Sequence, residues 1–258
     1  MAPASPPLPP PSPRPDWALF LDVDGTLVEI AAAPDAVVVP PQLLALLRGL
    51  QDSLDGAVAL VSGRAVTTLD ALFAPLHLPM AGNHGLERRT ADGRVLRPDI
   101  PDAALARARA AVAAFAESRR GPILEDKTIS VALHFRAAPE LAGDVERLAA
   151  ALAAELGPAL HVQRGKMMVE LRPTGGDKGS VVHDFMAEPP FVGRVPVFIG
   201  DDATDEDGFR AVNALGGISV RVGKPEGPTA ARYRIAGIEA VYGWLAALAR
   251  EGAAERLR

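Results

Sequence analysis

Three runs of consecutive apolar residues constrain this chain most: Trp17-Ala-Leu-Phe-Leu21, Ala57-Val-Ala-Leu-Val61 and Val195-Pro-Val-Phe-Ile199. They stop at Asp22, at Ser62-Gly63-Arg64 and at Gly200-Asp201. A short apolar run bounded by turn residues fits a strand buried on both faces. Such a strand needs helices above and below it. Pro40-Pro41 opens an apolar-periodic helix through Leu50, and a second helix follows Arg64 to about Phe73. Pro79-Met80-Ala81 then leads into Gly82-Asn83-His84-Gly85. Ile218-Ser-Val-Arg-Val222 is a further strand, and a last helix runs from Ile238 to Arg250. This alternation predicts an α/β fold with a Rossmann-like parallel sheet.

The pattern changes near residue 86. Asp92-Gly93 is a hairpin signal. An Ala-rich helix spans Asp102 to Ser118, and Ile129, Val131, Leu133 and Phe135 alternate with polar or small residues as a strand with one apolar face. A helix from Pro139 to Leu156 and a hairpin near Arg164-Gly165 complete an α+β module. The expected domains are therefore a core of residues 16–85 and 173–258, with an inserted α+β cap at 86–172. The Pro-rich residues 1–15 carry no apolar segment, so they read as a disordered leader rather than a secretory signal. The chain has no cysteine, which excludes thiolate chemistry and Cys-based zinc sites. Its net charge of −5, with Lys and Arg scattered, gives no footprint for nucleic acid or an anionic membrane. No apolar run approaches the roughly 20 residues that span a bilayer. A cytoplasmic protein without membrane or nucleic-acid partners is expected, with a monomer as the working assembly.

Four segments carry chemistry, and in an open α/β sheet ligands bind at the carboxyl ends of the strands. Asp22-Val23-Asp24-Gly25-Thr26 places two carboxylates beyond a strand: one can attack phosphorus, the other can protonate the leaving oxygen and then activate water. An ordinary Asp-Gly turn gives the same string. Ser62-Gly63-Arg64 offers a hydroxyl and backbone amides to a phosphate oxygen, or simply caps a helix. Lys178, after Gly175-Gly176-Asp177, can set a positive charge on a phosphoryl group, or sit solvated at the surface. Gly200-Asp201-Asp202-Ala203-Thr204-Asp205-Glu206-Asp207 is dense in carboxylates. A bound Mg²⁺ relieves their repulsion; an acidic first helical turn explains them too.

In this order the four segments resemble the haloacid dehalogenase-like phosphatases, from about Trp17 to the C-terminal helix. The resemblance implies catalytic roles for Asp22 (nucleophile), Asp24 (acid and base), Ser62 and Lys178 (phosphoryl holders). It implies Mg²⁺ held by Asp22, the backbone carbonyl of Asp24 and Asp201, with Asp205 nearby or bound through water. The insertion resembles the large α+β cap of the sugar-phosphatase branch. Within that branch, Gly82-Asn83-His84-Gly85, Glu125-Asp126-Lys127, His134-Phe135-Arg136, Gly165-Lys166, Glu170-Leu171-Arg172-Pro173 and the Gly200 to Asp207 segment resemble the trehalose-6-phosphate phosphatases.

A separate argument points to a sugar. On the strand from Lys166 to Arg172, residues Lys166, Met168, Glu170 and Arg172 share one side, while Met167, Val169 and Leu171 face the cap helices. Glu125 and Lys127 likewise share a side. A sheet with one charged face suits a polyhydroxyl ligand, or water alone. Glu125, Lys127, Lys166 and Glu170 are the candidate sugar contacts, with Asn83, His84 and Arg64 as further substrate-binding candidates. Cap closure is expected to exclude water and complete the sugar site. The expected activity is Mg²⁺-dependent hydrolysis of trehalose 6-phosphate. The alternatives are a capped phosphatase for another sugar phosphate such as sucrose phosphate, a phosphohexomutase, or a non-catalytic sugar-phosphate sensor. A sensor has no need of both Asp22 and Asp24.

Overall fold

The computed structural model describes residues 8–31, 36–97, 102–165, 167–224 and 227–255. Contacts divide the chain into two compact units: Met1–Leu96 with Gly176–Arg258, and Arg97–Gly175.

The first unit is built on an eight-stranded sheet. Its strands in chain order are β1 (Trp17–Leu21), β2 (Val58–Val61), β3 (Met80–Gly82), β4 (Glu87–Arg89), β5 (Val95–Leu96), β10 (Val195–Gly200), β11 (Ile218–Val222) and β12 (Tyr233–Ile235). The order across the sheet is β12-β11-β10-β1-β2-β3-β4-β5. From β12 to β3 every pairing is parallel; β4 and β5 add an antiparallel edge. β1 lies centrally, with Leu19 opposite both Val197 and Val58. All five of its residues are buried, as a strand covered on both faces requires. The helices are α1 (Pro41–Ser53), α2 (Val66–Phe73), α5 (Lys178–Met186), α6 (Glu206–Ala214) and α7 (Ile238–Glu255). Leu43, Leu47 and Leu50 form the buried stripe of α1, spaced three and four apart.

The second unit has its own core. A four-stranded antiparallel sheet runs in the order β6 (Ile123–Asp126), β7 (Val131–His134), β9 (Met168–Pro173), β8 (Leu160–Gly165). Helices α3 (Asp102–Glu117) and α4 (Ala142–Leu156) supply Ala108, Val112, Val145, Ala149 and Leu152, which pack on Val131, Leu133, Val169 and Leu171. The expected division of that last strand into an apolar and a charged side is present. Register places Glu125, Ala132, Glu170 and Gln163 in one row across the polar face.

Two expectations are corrected. Contacts open the second unit at Arg97 rather than residue 86, because residues 87–96 pair with β3 and extend the first sheet. The Asp92-Gly93 turn joins β4 to β5 there. The described part of the leader is not free chain: Leu8 bridges Tyr233, the Arg234 amide donates to the Leu8 carbonyl, and the Trp244 indole donates to the Pro11 carbonyl. Extended Pro-rich backbone keeps its carbonyls as acceptors, and the core supplies donors for them. Residues 1–7 lie outside the described residues.

Candidate active site

Asp22 follows β1 directly, and its amide donates to the Ile199 carbonyl of β10, so the strand pairing continues into the site. Its side chain is buried. Lys178 opens α5, where Asp177 and Ser180 cap each other: the Ser180 amide donates to Asp177 Oδ1 at 2.7 Å and the Asp177 amide to Ser180 Oγ at 2.9 Å. The cap fixes where the helix begins and so where Lys178 points. Its Nζ lies 2.8 Å from Asp22 Oδ1 and 2.6 Å from Asp205 Oδ1. Asp205 is fully buried, and its Oδ2 accepts from the amides of Asp201 and Asp202. One carboxylate thus ties the loop after β10 to the lysine.

Gly25 shows how closely the two loops approach. Its φ is +87°, and a Cβ there would lie 2.2 Å from Asp201 Oδ2. Only glycine meets both demands. Thr26 donates its hydroxyl to Asp201 Oδ1 at 3.2 Å.

Oxygens of Asp22, Asp201 and Asp205 lie within 4.8 Å of one another. Burial pushes the Asp22 carboxyl up to about 7 against the pull of Lys178, and burial with Asp205 and Asp202 pushes Asp201 up to about 6. Asp205 also rises, through burial and then Asp22. Burial would lower Lys178, but Asp22 and Asp205 outweigh it and hold the lysine charged. One ammonium thus serves a cluster of three carboxylates and touches two of them. A hard divalent cation fits this donor set: it is all oxygen, gathered in one place and short of positive charge.

Ser62 is buried at the end of β2, and the Arg64 amide donates to its hydroxyl. The Arg64 guanidinium grips Asp24, with Nε to Oδ2 and Nη2 to Oδ1 both at 2.7 Å. Asn83 and His84 take left-handed backbone, φ 50° and 55°, and the His84 ring comes to 2.5 Å from where a Gly63 Cβ would sit. The His84 amide donates to the Ser62 carbonyl and the Asn83 amide to the Arg64 carbonyl. Glu87, which the motifs did not single out, is buried and accepts from the Val66 amide and the Asn83 side chain, both at 3.0 Å.

In the second unit, Glu170 is buried and accepts from Lys127 Nζ at 3.0 Å and from Ser130 Oγ at 2.6 Å. Glu125 Oε2 lies 2.7 Å from His134 Nε2. Lys166 lies outside the described residues. Asp22, Asp201, Asp205 and Lys178 form one cluster, Arg64 joins Asp24, and the sugar candidates Lys127 and Glu170 join each other.

A family model described as trehalose-phosphatase matches residues 20–239. The chain is 47% identical over 234 residues to the probable trehalose-phosphate phosphatase of Sinorhizobium fredii, covering 91% of this chain and 88% of that one. It is 44% identical over 229 residues to the trehalose-6-phosphate phosphatase of Escherichia coli, covering 89% and 85%. A solved structure described as a trehalose-6-phosphate phosphatase related protein superposes with a TM-score of 0.74 at 26% identity, over 92% of this chain and 99% of that one.

Proposed function

The chain belongs to the trehalose-phosphatase family, and from that membership we propose that it hydrolyses trehalose 6-phosphate to trehalose and phosphate, in trehalose biosynthesis, with Asp22 as nucleophile and Mg²⁺ as cofactor. The observation that carries the chemistry is the buried Asp22 carboxylate, 2.8 Å from Lys178 and close to two further carboxylates.

Asp22 attacks phosphorus as the bond from phosphorus to the sugar oxygen breaks, and that oxygen takes the proton of Asp24. A water then attacks the aspartyl-phosphate, giving its proton to Asp24, and the Asp22 carboxylate is released. Lys178 and the Ser62 hydroxyl hold the phosphoryl oxygens. Mg²⁺ would be held by Asp22, the Asp24 carbonyl and Asp201; when bound, it offsets phosphoryl charge and favours ionised Asp22. Asp205 holds Lys178 and the amides of Asp201 and Asp202, so it sets the shape of the loop that carries the Asp201 ligand. On the sugar side, Glu125, Lys127, Lys166 and Glu170 are assigned to hydroxyl recognition, with Asn83, His84 and Arg64 toward the phosphoryl end. The protein is assigned to the cytoplasm and acts on a small molecule, with no nucleic-acid or membrane partner.

The test is phosphate release from a panel of sugar phosphates, with Mg²⁺ and with EDTA. Strong preference for trehalose 6-phosphate, lost in EDTA, is expected. Equal rates across the panel would sink the substrate assignment. Asp22→Asn is expected to leave the fold intact and remove turnover; more than a trace of activity would sink the nucleophile assignment.

A further inference from the structure

Asp24 does not stand free beside Asp22. Arg64 takes both of its oxygens, Nε to Oδ2 and Nη2 to Oδ1 at 2.7 Å each. The pair is partly sheltered, with the arginine side chain 13% and the aspartate side chain 31% exposed. A guanidinium engaging a carboxylate as a fork fixes the carboxylate plane as well as its distance, which an ammonium does not. The base of the fork is itself held. The Arg64 amide donates to Ser62 Oγ, and its carbonyl accepts from the Asn83 amide at 2.8 Å. A Cβ on Gly82 would lie 2.7 Å from that carbonyl, so the two loops are in close contact. Thus the loop after β2, through Arg64, reaches across 40 residues of sequence to hold the side chain two positions beyond the nucleophile.

We propose that Arg64 is a positioning residue for the proton donor. It holds the Asp24 carboxylate in place in the free protein; with substrate bound it keeps one oxygen, while the other leaves the fork, carries the proton and faces the leaving sugar oxygen. The inference rests on the proton-transfer role given to Asp24 above. It makes that role depend on the strand-end loop that also carries Ser62. A carboxyl on a short side chain at a partly open position otherwise samples several rotamers, and a group that must meet one oxygen loses rate when it wanders.

Leaving-group chemistry separates this from phosphate binding. A sugar alkoxide must be protonated as it leaves; p-nitrophenolate need not be. The ratio kcat/KM reports only events up to phosphoryl transfer to Asp22, before water enters. With Mg²⁺ present, kcat/KM is measured for trehalose 6-phosphate and p-nitrophenyl phosphate in wild type, Arg64→Gln, Asp24→Asn and the double variant. Asp24→Asn should cost the sugar phosphate on the order of 10²-fold or more and the nitrophenyl ester far less. Arg64→Gln should show the same selectivity, at roughly 10-fold or more. In the Asp24→Asn background, Arg64→Gln should add no further selectivity. Equal losses on both substrates from Arg64→Gln, repeated unchanged in the Asp24→Asn background, would make Arg64 a phosphate ligand only and overturn the proposal. If Asp24→Asn itself shows no selectivity, the proton-donor reading fails first. Arg64→Lys, which keeps the charge without the fork, provides a second variant if Arg64→Gln does not fold; it should fall between wild type and Asp24→Asn in selectivity, and wild-type selectivity would overturn the proposal.

Discussion

Glu87 is a buried carboxylate that accepts from the Val66 amide at the start of α2 and from the Asn83 side chain. Glu87→Ala leaves both without this acceptor in a dry place and is expected to cost about 2 kcal/mol or more, whereas Glu87→Gln keeps a carbonyl oxygen there and costs less. Urea unfolding of the two variants checks this; equal losses would mean that packing, not hydrogen bonding, sets the cost. Lys178→Met is more severe, since it strands Asp22 and Asp205 in the interior: a loss of about 3–5 kcal/mol is expected in the metal-free protein, read from the same unfolding curves. A loss below about 1 kcal/mol would mean that these carboxyls take up protons at little cost once the lysine is gone. The gathering of Asp22, Lys178 and Asp201 was legible because each stands at the edge of a patterned segment. Glu87 was not, because Glu87-Arg88-Arg89 reads as a solvated charged string. Its burial comes from pairing with β3, which no local pattern announces.

At the scale of elements, the strands buried on both faces were the most legible. The apolar runs at 17–21, 57–61 and 195–199 appear as Trp17–Leu21, Val58–Val61 and Val195–Gly200. Their composition leaves no second reading at that length. The edges were less so: β5 is two residues long, and β4 is held by its pairing with β3, by Arg88 on the distant Glu188 and by Arg89, which donates to the Leu78 carbonyl. The segment 139–156, expected as one helix, is a short 3-10 turn, Pro139–Leu141, followed by α4, because the proline-led start closes a tighter first turn. Helix α5 illustrates how an element aims a functional group. Phe185 packs 5.0 Å from the Phe191 ring and 6.0 Å from Phe20, with the Arg88 guanidinium 5.0 Å above it. These contacts hold the helix whose first residue is Lys178. Phe185→Ala is expected to cost about 3–5 kcal/mol, measured by thermal or urea unfolding. A loss under about 1 kcal/mol would show that the Phe20–Phe191 stack holds α5 without it.

For the whole molecule, the carboxylate cluster couples stability to pH and to the cation. Asp22 and Asp201 titrate near 7 and 6 in the folded protein, above their ordinary value of 3.8. The folded state therefore binds more protons than the unfolded one between those values. The associated stability is fully present below the unfolded pKa and is lost as pH rises through the folded values. Metal-free protein should lose Tm across about pH 4 to 7 from this source, and Mg²⁺ should restore more at pH 8 than at pH 5, where protons compete with it. Thermal melts in EDTA and in Mg²⁺ at several pH values test this; a larger Mg²⁺ shift at the acid end would contradict it. No helix among the described residues is long and apolar enough to cross a membrane. The two-unit organisation was legible from the switch in strand style, but the first boundary was not, since a hairpin extending a parallel sheet and a hairpin opening a new unit share one sequence signal.

The central strand that ends at Asp22 is flanked by β2 on one side and by β10 on the other. One neighbour precedes the second unit in the chain and one follows it. Synthesis from the N-terminus therefore makes Asp22 well before Lys178, Asp201 and Asp205. A chain that stops short of Asp201 carries Asp22 without the two carboxylates gathered beside it in the folded protein. The oxygen cluster of Asp22, Asp201 and Asp205 therefore cannot assemble before β10 is made and paired with β1.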